Sequence, residues 1–402
     1  MPHVQSRRQA GASRFVKRFV GVSQRVLVLG RGASGRAACA LLERLGSEVS
    51  AVDGGEALPA GDFSFAVVSP GIALSHPWQR ECRARSIPLK SELQLGCTQL
   101  LRRGWKLIGV TGSKGKSSVV KVVAEAIAST GAHAVACGNY GRAVCDVALE
   151  ERCGWAVVEV SSFQLETTSL PSDAFEAAAI VNLQEDHLDR HGTVENYHAL
   201  KRKLLSMAKT RLTAGRCGSC GLIEGSYFDN EVLRENGDVA VRLMRAAGIG
   251  DDGIRRAFAR FSPLPHRMNL VLERRGVRCI DDSKATSLAA MVAALKMAGE
   301  NVRLIAGGRP KGDDPLSALP DLTKRVKKVY LIGECAEAFG KAWSGSVDCE
   351  ICGTMERAAA AAMREACPGD TVLLSPGCAS YDQFENFGRR GDVFAELVKK
   401  EG

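Results

Sequence analysis

Short apolar runs that stop at a glycine or a small polar residue recur along the chain, each separated from the next by a stretch of helical periodicity. QRVLVLG (24–30), EVSAVD (48–53) and DFSFAVVSPG (62–71) form one series, with a helix expected over about 34–46. KLIGVTG (106–112), WAVVEVSS (155–162) and AAAIVNL (177–183) form a second. VRCIDDS (277–283), VRLIAGG (302–308), KKVYLIG (327–333) and DTVLLSPG (370–377) form a third. Runs of this kind alternating with helices predict α/β layers built on parallel sheets, because a parallel strand is buried on both faces and so reads as continuously apolar.

A chain of 402 residues suits two or three domains rather than one. The three series divide it into a basic leader (1–23) and blocks at 24–104, 105–268 and 269–402. Formal net charge is +9, yet Arg7, Arg8, Arg14, Lys17, Arg18, Arg25, Arg31 and Arg36 all precede the first acid, Glu43. The remainder is close to neutral, so no nucleic-acid partner is expected. The leader has no uninterrupted apolar core; a disordered start is the reading, with a transit peptide as the alternative. No stretch approaches the ~20 apolar residues of a membrane span, and a cytoplasmic monomer is expected. The 14 cysteines are scattered, as in reduced intracellular proteins. Cys349 and Cys352 fall on a strand pattern and should face opposite ways. Cys217 and Cys220 lie in a glycine-rich loop, where a metal or redox pair competes with a structural role.

Three segments carry chemistry. Gly30-x-Gly32-x-x-Gly35 follows a strand and opens a helix, and Asp53 ends the next strand, which is the spacing of a dinucleotide fingerprint. GVTGSKGKSS (109–118) does the same for the second series. Val110 stands where the common phosphate-loop pattern has its first glycine, but a strand before and an apolar helix after let backbone N–H groups surround a phosphate. Lys116 would meet its charge and Ser117 a magnesium ion. Glu159 ends WAVVEV, and Asp186 and His187 emerge just past AAAIVNL, at the sheet edge where α/β folds collect reactive groups. His187-x-x-x-His191 lacks the glutamate of a zinc protease motif.

Together these segments resemble the Mur ligase superfamily, whose characteristic loop is TGxxGK[ST]. The resemblance runs from residue 25 through SPGI (69–72), GNYG (138–141), EVSSFQLE (159–166), EDHLDRH, LPHR (264–267), DDSKATS (281–287) and SPGCASYDQFENFGRRGDVF (375–394). EVSSFQLE, DSKAT and the last segment point to its D-glutamate-adding branch. The resemblance implies three domains: a Rossmann-like N-terminal domain, an abbreviated central P-loop ATPase-like domain and a Rossmann-like C-terminal domain. The implied activity is ATP-dependent joining of D-glutamate to UDP-N-acetylmuramoyl-L-alanine through an acyl phosphate, in peptidoglycan precursor synthesis.

At matching positions it implies that Gly30, Gly32, Ala33, Ser34, Gly35, Asp53 and the Ser69-Pro70-Gly71 turn hold the UDP part, with Asn139 facing the muropeptide. Gly112, Ser113, Lys114, Gly115, Lys116, Ser117 and Ser118 would cradle the ATP phosphates, and Arg267 and Asp282 would serve the ATP side. Ser117 and Glu159 would share one magnesium. His187 and a carbamylated Lys201 would hold a second. Lys284, Thr286, Lys311, Ser380 and Phe387 would approach the incoming D-glutamate. One departure is visible: the segment between Lys201 and His266 is shorter than the family's, and its H-N-x-x-N helix start survives only as VLRENGD, with Asn236. Competing readings are a nicotinamide oxidoreductase, a folylpolyglutamate-type or sister ligase, and a catalytically impaired homologue.

Overall fold

The computed structural model of the chain describes residues 24–215 and 220–401. The basic leader and Cys217 lie outside them. Three sheets account for the three series of apolar runs. The first contains β1 (Arg25–Leu29), β2 (Glu48–Val52), β3 (Phe65–Val68) and β4 (Leu89–Ser91), in the order β2-β1-β3-β4, all parallel. The second contains β5 (Lys106–Thr111), β6 (Ala134–Gly138), β7 (Trp155–Glu159), β8 (Phe175–Ile180) and β9 (Ala208–Thr213), in the order β6-β7-β5-β8-β9, again all parallel.

The third sheet contains β10 (Asn269–Arg274), β11 (Val277–Asp281), β12 (Val302–Gly307), β13 (Val326–Ile332), β14 (Cys349–Gly353) and β15 (Thr371–Leu374), in the order β10-β11-β15-β12-β13-β14. Only β10 is antiparallel to its neighbour. Alternate residues of these strands feed two cores: Leu304, Val329 and Leu331 on one face, Ile305, Tyr330 and Ile332 on the other. Cys349 packs against the first core and Cys352 lies in the second, as their spacing on a strand requires.

The chain packs as two compact units, one running through Ser226 and taking in Glu235–Arg260, the other made of Tyr227–Arg234 and Phe261–Gly402. The first two sheets therefore share a unit. Their joint core mixes Val26, Val28 and Leu41 with Cys137, Val158 and Phe175. Close approach is possible because Gly96 has no side chain: a Cβ there would lie 2.7 Å from the carbonyl carbon of Val144. Beside it the buried Glu92 accepts a hydrogen bond from the Cys145 amide at 2.6 Å, and burial raises its pKa. In each of the first two sheets the order reverses beside the first strand, and at that place ligands of open α/β sheets bind, beyond the carboxyl ends of the strands.

Candidate active site

At the reversal point of the first sheet, Gly30 leaves β1 with φ +91° and Ser69, just past β3, donates its hydroxyl to the Gly30 carbonyl at 3.2 Å. A Cβ on Gly35 would sit 1.8 Å from that same carbonyl oxygen. The fingerprint spacing is thus a packing requirement: helix Ala33–Arg44 can start this close to β1 only on a glycine. No side chain caps that helix start at Gly32, which leaves its first N–H groups, at Ala33 and Ser34, without a side-chain acceptor. Asp53 is exposed at the end of β2 and accepts from the Gly54 amide at 3.0 Å. Arg31, between the glycines, pairs with Glu56 at 2.9 and 3.2 Å.

At the reversal point of the second sheet lies the phosphate loop. Gly112 has φ +149° and Gly115 φ +78°. A Cβ would lie 2.4 Å from Val181 Cγ2 at the first and 2.1 Å from Asn236 Nδ2 at the second, so sterics and backbone both demand glycine. Asn182, next after Val181, fixes the loop. Its Oδ1 accepts from the amides of Ser113 (3.1 Å) and Lys114 (2.9 Å), and its Nδ2 donates to the Lys114 carbonyl at 2.8 Å. Ser113 Oγ donates to the Gln184 carbonyl at 3.0 Å and lies 3.1 Å from the Tyr197 hydroxyl. Helix Lys116–Ala128 starts at Gly115 without a side-chain cap, leaving its amides for a ligand. Lys116 Nζ bonds the Ser113 carbonyl at 3.0 Å; Ser117 is partly exposed and Ser118 buried in the first turn.

Glu159 ends β7 and is buried. Its Oε1 accepts from Asn139 Nδ2 at 2.9 Å, while Oε2 is buried with no hydrogen-bond partner among the described residues. Asn139 thus orients this carboxylate. Lys201, on helix Val194–Leu205, is buried; its Nζ donates to the Gly112 carbonyl at 2.8 Å and lies 4.4 Å from the Tyr197 ring centroid. Burial, then the nearby charge of Lys116, lowers its pKa to about 7, with Asp186 and Glu159 opposing. His187 has φ +53° and an exposed ring 4.9 Å from that of Phe163. His191 instead is buried, 3.0 Å from Ser162 Oγ, and burial lowers its pKa.

No cluster of three His, Cys, Asp or Glu side chains suited to a metal occurs among the described residues. Magnesium needs no such cluster, since it binds through one or two carboxylates plus waters and substrate phosphates. Glu159 leaves one buried carboxylate oxygen without a hydrogen-bond partner among the described residues, the kind of donor such an ion takes.

The remaining sequence-derived candidates gather at the carboxyl ends of the third sheet. Lys311 Nζ donates to Thr286 Oγ1 at 3.0 Å, and Lys284 Nζ lies 4.5 Å from the Phe387 ring centroid. Ser380 is buried in the loop after β15. Asp282 accepts from Ser375 Oγ at 2.9 Å and from the Met268 amide at 3.2 Å; burial raises its pKa to about 7. Arg267, whose charge acts on Asp282, has a buried Nε without a hydrogen-bond partner among the described residues.

Sequence reasoning missed several organising residues. Asn182 follows β8 in VNLQEDH, a strand-end polar residue that only the sheet order reveals as a loop clamp. Arg390 is buried and donates to the carbonyls of Ser283, Cys378 and Ala379, tying the loop after β11 to the loop after β15. Arg190, described below, was hidden inside EDHLDRH. In the shortened segment, helix Arg234–Ala246 still brings Asn236 to the phosphate loop, where Asn182 Nδ2 donates to its Oδ1 at 3.3 Å.

Comparison with known proteins agrees with this geometry. The Mur ligase middle domain matches residues 110–214, and the Mur ligase, glutamate ligase domain matches 266–378. A UDP-N-acetylmuramoylalanine–D-glutamate ligase of Chlamydia caviae is 34% identical over 93% of this chain and 97% of its own. One from Gloeobacter violaceus is 36% identical over 87% of this chain and 88% of its own. The crystal structure of a MurF ligase from Thermotoga maritima in complex with ADP covers 94% of each chain with a TM-score of 0.55 at 16% identity, a likeness of fold. With the phosphate loop, the glycine turn and the third-sheet cluster all formed, the chain belongs to the UDP-N-acetylmuramoylalanine–D-glutamate ligases of the Mur ligase family.

Proposed function

We infer that the chain is an ATP-dependent ligase that adds D-glutamate to UDP-N-acetylmuramoyl-L-alanine in peptidoglycan precursor synthesis. The observations that support this best are the uncapped phosphate-loop helix and, at the end of β7, a buried carboxylate oxygen of Glu159 without a hydrogen-bond partner among the described residues. Such a site accepts a nucleotide phosphate and the cation that accompanies it. Asn236 over Gly115 favours an active ligase over an impaired one, because the shortened segment still delivers this side chain.

In this reading the first-sheet turn at Gly30, Gly32 and Ser69 to Gly71 binds the UDP moiety. The terminal carboxylate of the substrate attacks the γ-phosphate of ATP, and ADP leaves. Lys116 offsets charge on the transferring phosphoryl group, a role of positioning and electrostatics rather than covalent chemistry. Magnesium, held by Ser117 and Glu159, would neutralise phosphate charge; His187 and Lys201 as a carbamate would hold a second ion. The neutral amine that reacts with CO₂ is the form favoured by burial of Lys201. The amine of D-glutamate, bound by Lys284, Thr286, Lys311, Ser380 and Phe387, then attacks the acyl phosphate; loss of a proton and of phosphate leaves the amide. Arg267 and Asp282 serve the nucleotide.

The test is product analysis with UDP-N-acetylmuramoyl-L-alanine, D-glutamate, ATP and magnesium. ADP, phosphate and the amide should form in equal amounts, and omission of any one component should stop all three.

A further inference from the structure

Arg190 joins the two substrate-bearing parts of the first unit. It sits on the short helix Leu188–His191, three residues after His187. Its NH2 group donates to the Pro70 carbonyl at 3.3 Å and to the Ile72 carbonyl at 3.0 Å, and its NH1 group to the Gly71 carbonyl at 3.4 Å. These carbonyls belong to the turn that follows β3, the turn whose Ser69 holds Gly30. On its other side the guanidinium pairs with both oxygens of Glu166, at 2.6 and 3.0 Å. Both side chains are sheltered, 13% exposed for Arg190 and 4% for Glu166, so this pair is screened less than a surface one.

The plane of Arg190 is also set by Phe163, whose ring centroid lies 4.8 Å from the guanidinium carbon. Phe163 in turn packs on His187 at 4.9 Å and on His191 at 5.4 Å, and His191 packs on Tyr197 at 5.5 Å. Tyr197 lies under Lys201 and reaches the Ser113 hydroxyl. One contiguous set of contacts thus runs from the turn at 69–72 to the phosphate loop.

We propose that Arg190, aimed by Glu166, is a positioning residue for the UDP-bearing substrate, holding the Ser69–Ile72 turn in its binding geometry against the element that carries His187. Only a planar fork can meet three carbonyls and a bidentate carboxylate at once; a lysine ammonium, a single point of charge on a flexible stem, cannot. The proposal rests on the functional reading above.

The experiment compares wild type, Arg190→Lys and Glu166→Gln by titration calorimetry with UDP-N-acetylmuramoyl-L-alanine and, separately, with ATP in magnesium, alongside thermal unfolding. Both variants should bind the UDP compound at least roughly 10-fold more weakly while ATP affinity stays within about twofold. In turnover, KM for the UDP compound should rise with kcat little changed. Equal binding of the UDP compound by wild type and both folded variants overturns the proposal, as does a parallel loss of ATP affinity, which marks general loosening. Wild type that binds ATP but not the UDP compound overturns the functional reading itself, and the proposal with it.

Discussion

The ammonium nitrogen of Lys201 lies 2.8 Å from the carbonyl oxygen of Gly112, so a buried lysine of one helix is bonded directly to the phosphate loop of a neighbouring strand. Lys201→Ala should therefore abolish most turnover by removing the group proposed to become an anion beside magnesium. Short-chain carboxylic acids added to the folded variant should restore part of the activity, because they place a carboxylate in the vacated space. Phosphate release with and without added acetate or propionate measures this; full activity of the variant without additive contradicts it.

Lys116→Ala should leave the fold intact and cut turnover by roughly 100-fold or more, since a donor aimed at developing charge supplies about 3 kcal/mol. Lys116 stands in the first turn of its helix and is only partly buried, so little packing is lost. Circular dichroism and phosphate release together decide the matter, and near-normal turnover by a folded variant contradicts the role.

Gly35→Ala should destabilise the first unit, because the added Cβ would meet the Gly30 carbonyl oxygen at 1.8 Å and both are backbone-bound. Overpacking of this kind costs about 3 kcal/mol, roughly 10 °C in Tm. Affinity for the UDP compound should fall with it. Calorimetric unfolding checks the first part, and an unchanged Tm contradicts the packing account of the fingerprint glycines.

Asp282 gives a pH dependence of definite sign. Its pKa in the folded chain is raised from 3.8 to about 7, chiefly by burial. Between those values the folded chain holds a proton that the unfolded chain releases. The stability contributed by the neutral carboxyl is thus complete below about pH 4 and is lost as pH rises through about 7. Asp282→Asn cannot ionise. The Tm of the variant minus that of wild type should increase from pH 4 to 7 and level off above, by up to about 4 kcal/mol in stability. A difference that is flat across this range contradicts the assignment.

Buried parallel strands and phosphate-facing turns are legible in the sequence because burial on both faces leaves an uninterrupted apolar run and close backbone approach leaves a glycine. VLVL, IGVT and LIAG announce β1, β5 and β12 for that reason. β9 was not legible: AKTRLT buries only Ala208 and Leu212, since an edge strand keeps its other residues in water. β10, also an edge, reads NLVLER with its residues half exposed. At the site, Lys116 stands at a helix start and Glu159 at a strand end, both of which the pattern reveals. Asn182 acts on the phosphate loop across 68 or 69 residues of sequence, Arg190 on its turn across 118 to 120 and Arg390 on Ser283 across 107, and only the fold brings these partners together.

Selection of D-glutamate is proposed to rest on the third-sheet cluster. Lys311 and Thr286, in contact at 3.0 Å, and the buried Ser380 would offer one cation and two hydroxyls to carboxylates, and Phe387 would limit chain length. A ligand without the second carboxylate would leave these groups unpaired, and sites built on polar contacts discriminate by about 10⁴ on that ground. Phosphate release with UDP-N-acetylmuramoyl-L-alanine and ATP, using D-glutamate, L-glutamate, L-lysine and meso-diaminopimelate at equal concentration, measures the choice directly. Release should occur with D-glutamate and fall to background with the other three; preference for any of those three would contradict the account.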